Sequence, residues 1–147
     1  MCPAVYEPLI LPPTFRGRYP HMAKRDNVVW ERFLAGYAES FLGFAYDVAV
    51  GGRPLALPGL DEASRLGWQY NTALKIDAVG FTAAQAWIIE VRPDATVSAL
   101  GAALTYTMVA ERDAVFRFKL LPVIVCETIQ PDVGWACQQL AVHVVKV

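Results

Sequence analysis

Two stretches, ALKIDAVGF at residues 73–81 and AWIIEVR at residues 86–92, decide how this chain is read. Each has the length and the β-branched and aromatic content of a strand, and a turn centred near Ala83 and Ala84 joins them as a hairpin. Side chains alternate between faces along a strand, so Lys75 shares a face with Asp77, and Glu90 shares one with Arg92. With that turn, Asp77 lies opposite Glu90 and Lys75 opposite Arg92. Carboxylates directly opposite each other repel. A divalent cation between them relieves this, and so do the diagonal cations, Arg92 on Asp77 and Lys75 on Glu90. The first arrangement is a metal site and the second a salt-bridge network. The other face carries Leu74, Ile76, Ala78, Trp87, Ile89 and Val91, which predicts core.

Working outward, Pro93 ends the second strand, and Asp94 or Thr96 caps a helix from Val97 to about Arg112. No charge occurs in this helix before Glu111, and apolar residues occupy nearly its whole circumference. It should therefore be covered on more than one side. Leu100, Gly101, Leu104 and Met108 are the expected interface positions. Residues 115–128 hold a near-continuous apolar run, as in a central strand covered on both faces. Residues 131–140 fit a short helix with Pro131 in its first turn, and residues 141–147 a last strand.

Upstream, Asp26 or Asn27 is expected to cap a helix over Val29, Trp30, Phe33, Leu34, Tyr37 and Phe41, stopped at Gly43. Residues 44–50 predict a strand and Gly51-Gly52 a hairpin turn. Residues 53–58 predict a short edge strand, and residues 59–71 a loop or a single helical turn. Residues 1–25 contain five of the ten prolines and predict an extended arm before a domain over residues 26–147.

At 147 residues one domain is expected, and 55% hydrophobic against 18% charged residues is more apolar than one monomer's core needs. A subunit interface is the usual outlet. A net charge of −1 gives no global field toward nucleic acid. The local exception is Arg16, Arg18, His21, Lys24 and Arg25, either a solvated arm or a contact for an acidic partner or a nucleic-acid backbone. Cys2, Cys126 and Cys137 lack metal-ligand spacing and read as reduced thiols. The two histidines stand far apart, which argues against zinc. No segment has the form of a signal peptide or the ~20 apolar residues of a membrane span.

The expected order is helix, three antiparallel strands, helix, strand, short helix, strand. With an acid on the second strand and acid-x-cation on the third, Asp77 and Glu90-Val91-Arg92, the chain resembles the PD-(D/E)XK nuclease superfamily over about residues 27–147. That resemblance implies an α/β fold with one mixed sheet flanked by helices, a restriction-endonuclease-like core. It assigns Asp77, Glu90 and the Val91 carbonyl to Mg²⁺. It places Arg92 at the position of the lysine, with Lys75 as a substitute, and matches Glu31 or Glu39 to a first-helix acid. In such a site the metal activates water and steadies charge on a phosphate. Arginine departs from the pattern, because it holds its proton above pH ~12 and cannot act as a base.

The preferred expectation is a nuclease-like fold with lost or weakened catalysis and no cofactor, serving as a subunit of a larger assembly. A tailed-bacteriophage virion or head-to-tail connector is the concrete case, assembled in the host cytoplasm. Its partners would be protein subunits, in a homo-oligomer or as assembly neighbours, with DNA nearby and no membrane. The arm would reach a neighbouring subunit. The alternative is a Mg²⁺-dependent DNA endonuclease using Asp77, Glu90 and Arg92 or Lys75. A small DNA-binding module using Arg16, Arg18, Lys24 and Arg25 is the third reading.

Overall fold

In the computed structural model, which describes residues 8–147, strands β2 (Leu74–Phe81) and β3 (Gln85–Val91) form the expected antiparallel hairpin. Ala78 pairs with Ile89 and Phe81 with Ala86, the register that sets Asp77 across from Glu90. β1 (Gly43–Val50) pairs antiparallel on the outer side of β2. β5 (Lys119–Cys126) lies parallel to β3, and β7 (His143–Lys146) parallel to β5. The sheet order is therefore β1-β2-β3-β5-β7. The parallel pairs require crossovers, made by α3 (Val97–Arg112) between β3 and β5 and by α4 (Pro131–Gln139) between β5 and β7. Two-residue strands β4 (Asp94–Ala95) and β6 (Thr128–Ile129) form a separate parallel ladder. The fold is a mixed α/β domain with a five-stranded sheet flanked by helices.

Helix α1 (Lys24–Tyr37) covers one face of the sheet, burying Val29, Trp30, Phe33 and Leu34 against Phe44, Ala78, Ile89, Val91, Val123 and Val125. Trp30 stacks on Phe33 at 4.9 Å and meets Phe44 edge-on at 5.3 Å. Its indole N–H donates to the Tyr46 hydroxyl at 3.2 Å, so this large side chain is buried with its polar atom satisfied. On the opposite face α3 packs Ala110 over Val48, Ile76, Val79 and Ile88. Further along, Ala99 and Ala103 join Ile124, Cys126, Val133 and Cys137. Both faces of the hairpin are thus core, rather than one apolar and one charged face.

Helix α1 begins ahead of the expected caps. The Asp26 side chain accepts from the Ala23 N–H at 2.9 Å, closing the helix start from within the first turn. Lys24 and Arg25 are therefore helical, and a 3-10 turn, Ala38–Ser40, ends the segment before Gly43. Residues 53–58 form no strand. Instead, helix α2 (Glu62–Thr72) occupies most of the expected loop, with Asp61 capping it through the Ser64 N–H at 2.7 Å. Gly51 and Gly52 hold φ of 68° and 93° as the turn chemistry demands, but they lead into a long excursion rather than a two-residue hairpin. At Gly52 an added Cβ would lie 2.4 Å from the Gln69 carbonyl oxygen.

The described part of the arm lies on its own domain. Leu11 exchanges both backbone hydrogen bonds with Phe44, at 2.7 and 2.9 Å, shielding part of the β1 edge. Tyr19 and Met22 are buried in the α1-side core. Residues 1–7, including Cys2, are outside the described part of the chain.

Candidate functional site

The β2–β3 ladder ends at the Ala78–Ile89 pair, and what replaces it is a side chain. Asp47 on β1 holds a left-handed φ of 52°, and strand alternation breaks there: Tyr46 packs on the α1 side, whereas Val48 packs on the α3 side. β2 follows its partner, with Ala78 on the α1 side and Ile76 on the α3 side. Asp77 sits at this crossing, and its Oδ2 accepts the Val91 N–H at 2.9 Å in place of a backbone carbonyl. Its side chain is 13% exposed and that of Glu90 1%.

Arg92 closes the site. Its backbone N–H donates to the Val125 carbonyl at 3.0 Å, which fixes its base beside β5. Nη1 donates to the Val91 carbonyl at 2.8 Å and lies 3.4 Å from Asp77 Oδ2. Nη2 forms an ion pair with Glu90 Oε1. Neither Glu90 oxygen has a well-directed hydrogen-bond partner.

Two buried carboxylates beside one guanidinium leave an excess negative charge, which a low-dielectric interior penalises. Burial, together with the neighbouring Asp77 charge, pushes the Glu90 carboxyl up to about 8, despite the opposing pull of Arg92. Burial also raises Asp77, against the Val91 N–H and Arg92, which both lower it. Near neutral pH one carboxylate is balanced by Arg92 and the other largely by a retained proton. Tyr106 on α3 feels the same field: burial first, then Glu90 and Asp77, raise its hydroxyl above the ordinary value.

The three groups that the nuclease resemblance assigns to Mg²⁺, namely Asp77, Glu90 and the Val91 carbonyl, are the three that the Arg92 guanidinium touches. Among the described residues, no group of three or more His, Cys, Asp or Glu side chains could hold a metal ion. With Arg92 placed as it is, the residues present do not fit a resident divalent cation.

The other expected site residues divide. Lys75 does not reach Glu90: its ammonium turns to the Tyr70 carbonyl and lies 3.9 Å from the centre of the Tyr70 ring. α2 brings these groups to it, an eleven-residue helix where a loop or a single helical turn is expected. Glu31 and Glu39 are exposed, whereas Asp26 in the first turn of α1 is the helix acid whose charge acts on both Asp77 and Glu90. The basic run is partly engaged within the chain. Arg16 donates to the Pro13 and Phe15 carbonyls, both at 2.8 Å, and Arg25 pairs with Asp94 at 3.3 Å. Arg18 and Lys24 are exposed. On α3, Leu100 and Leu104 are partly buried against the neighbouring core, while Gly101 and Met108 face outward.

Sequence reasoning missed Asp47. The β1–β2 register sets it opposite Asp77, where it pairs with His21 Nε2 at 3.2 Å and accepts from the Tyr70 hydroxyl at 2.9 Å. Its other carboxylate oxygen is buried without a hydrogen-bond partner. The signal was present in Tyr46-Asp47-Val48, where an acid interrupts an apolar strand. Compared with known proteins, the chain matches no family model, and no curated protein and no solved structure matches it significantly.

Proposed function

We propose that this chain is a catalytically silent, nuclease-like α/β domain that serves as a subunit of a larger assembly. The observation that carries the reading is the Arg92 guanidinium seated on Asp77, Glu90 and the Val91 carbonyl. A guanidinium there opposes entry of a divalent ion and cannot serve as a base. Exposed apolar side chains support the assembly half, among them Leu42 at 71%, Val97 at 70% and Trp135 at 64%. In an assembly such residues are covered. A tailed-bacteriophage virion or head-to-tail connector is the setting we propose, with protein neighbours as the principal partners.

Two measurements test this. Incubating the protein with supercoiled plasmid and Mg²⁺ or Mn²⁺, beside an Asp77→Ala control, is expected to give no cleavage. Nicking that disappears in the control establishes instead the Mg²⁺-dependent endonuclease, the reading favoured by the convergence of two acids and a carbonyl. Solution mass is expected to exceed that of one chain, and a clean monomer across the micromolar range overturns the assembly half.

A further inference from the structure

Helix α3 has one face that the fold leaves uncovered. Ala99, Ala103, Thr107 and Ala110 turn to the interior and are buried. On the opposite side Val97 is 70% and Met108 66% exposed, with Gly101 and Thr105 exposed between them and Leu104 half-buried. Positions 97, 101, 104 or 105, and 108 follow helical spacing and form one stripe. No charge interrupts it from Val97 to Ala110. Such a face is suited to a partner rather than to water.

Shape and charge say what covers it. Gly101 sits mid-helix, where glycine is the poorest helix former short of proline, and a Cβ added there would meet nothing within 4 Å. Packing inside the chain does not require this glycine, whereas close approach from outside gives it a use. As to charge, α3 starts without a side-chain cap from Thr96 and without an acid in its first turn. Asp94, just before it, is held by Arg25 and Thr128. The last turn carries exposed Glu111, and the neighbouring Arg112 pairs with Asp113. An acid at the negative end of the helix dipole, with none in the first turn at the positive end, is the wrong way round for a helix alone. An antiparallel copy of the same helix corrects it.

We propose that α3 packs antiparallel against α3 of a second copy of this chain, about a two-fold axis between Leu104 and Thr105. The inference rests on the assembly reading above and adds the partner, the face and the register. About that axis Met108 of each copy lies over Gly101 of the other, and its flexible thioether fills the space that a Cβ would take. Val97 lies under the aliphatic stem of the other copy's Arg112. Glu111 of each copy lies beside Ser98 of the other and supplies the acid that the helix start lacks. Every contact occurs twice, as an isologous interface requires.

The test uses the full chain. Sedimentation velocity across the micromolar range compares the wild-type protein with Met108→Lys, Gly101→Leu and Trp135→Lys. Met108→Lys and Gly101→Leu are each expected to raise the dimer dissociation constant about tenfold or more. Gly101→Leu adds apolar surface and favours the helix, so it keeps the test decisive if Met108→Lys melts early. Trp135, exposed on α4, lies outside the stripe, and its substitution should leave the constant within about twofold. In chains carrying Cys2→Ser, Ser98→Cys and Glu111→Cys are expected to form a disulfide-linked pair when mixed and oxidised, and neither to link to itself. A dimer that survives both stripe substitutions, one that falls apart with Trp135→Lys instead, or Ser98→Cys chains that link to each other would overturn the proposal. Those results leave the assembly reading standing, since the chain still associates. A wild-type protein that stays monomeric overturns both.

Discussion

At the scale of single residues, Glu90 determines how the site responds to pH. Its folded-state value of about 8 lies above the ordinary 4.5, so the folded chain keeps a proton that the unfolded chain has lost. The stability this contributes is fully present below about 4.5 and is lost as pH rises through about 8. Glu90→Gln removes the titration while keeping the shape. Relative to the wild-type protein, the variant should gain on the order of 1–3 kcal/mol between pH 5 and 9, read from urea denaturation at a series of pH values. Parallel pH profiles would sink this account. Asp77, Glu90 and Arg92 were legible in the sequence because strand alternation and a short turn are local rules. The fate of Lys75 was not, because its carbonyl and aromatic partners come from α2. Nor was the role of Asp47, whose left-handed φ of 52° switches a strand between faces and is invisible to a period-two reading.

Among the elements, α2 shows where pattern reading is weak. None of its residues is buried, its apolar positions at helical spacing are only Ala63, Leu66 and Tyr70, and its start depends on one cap. Asp61→Ala should remove the 2.7 Å bond to the Ser64 N–H and loosen the first turn of the helix. Amide exchange should accelerate across residues 62–72, with little change in the global midpoint because α2 contributes no buried side chain. An equal loss of protection in β2 and β3 would show that α2 is coupled to the core. α3 was legible because sixteen residues with charges only at Glu111 and Arg112 exceed any strand. Which side of it stays open was not: Leu100 and Leu104 lean on the β5–α4 layer, and Val97 and Met108 are left outward.

For the whole molecule, the arm contributes to the fold it precedes. Tyr19 is 2% and Met22 9% exposed, and burying side chains of this size stabilises by roughly 1.5–3 kcal/mol each. Leu11 also occupies part of the outer edge of β1. A chain beginning at Ala23 should lose about 3–5 kcal/mol by chemical denaturation and become more prone to associate through β1. Unchanged stability would mean that the arm is only a tether.

By itself the sequence determined the hairpin, its register, the two helices that follow it and the identity of the acids and arginine at the centre. Each of these follows from periodicity and turn length, which act over a few residues. Only the tertiary structure decided that α1 and α3 bury both faces of that hairpin and that α2 takes Lys75 away. It also placed Asp47 beside Asp77, and it put the Arg92 guanidinium where a metal was the alternative. These outcomes depend on which distant groups meet and on how little water remains between them. Burial turns two like charges into a demand for a counter-charge, and the nearest one in space is the arginine.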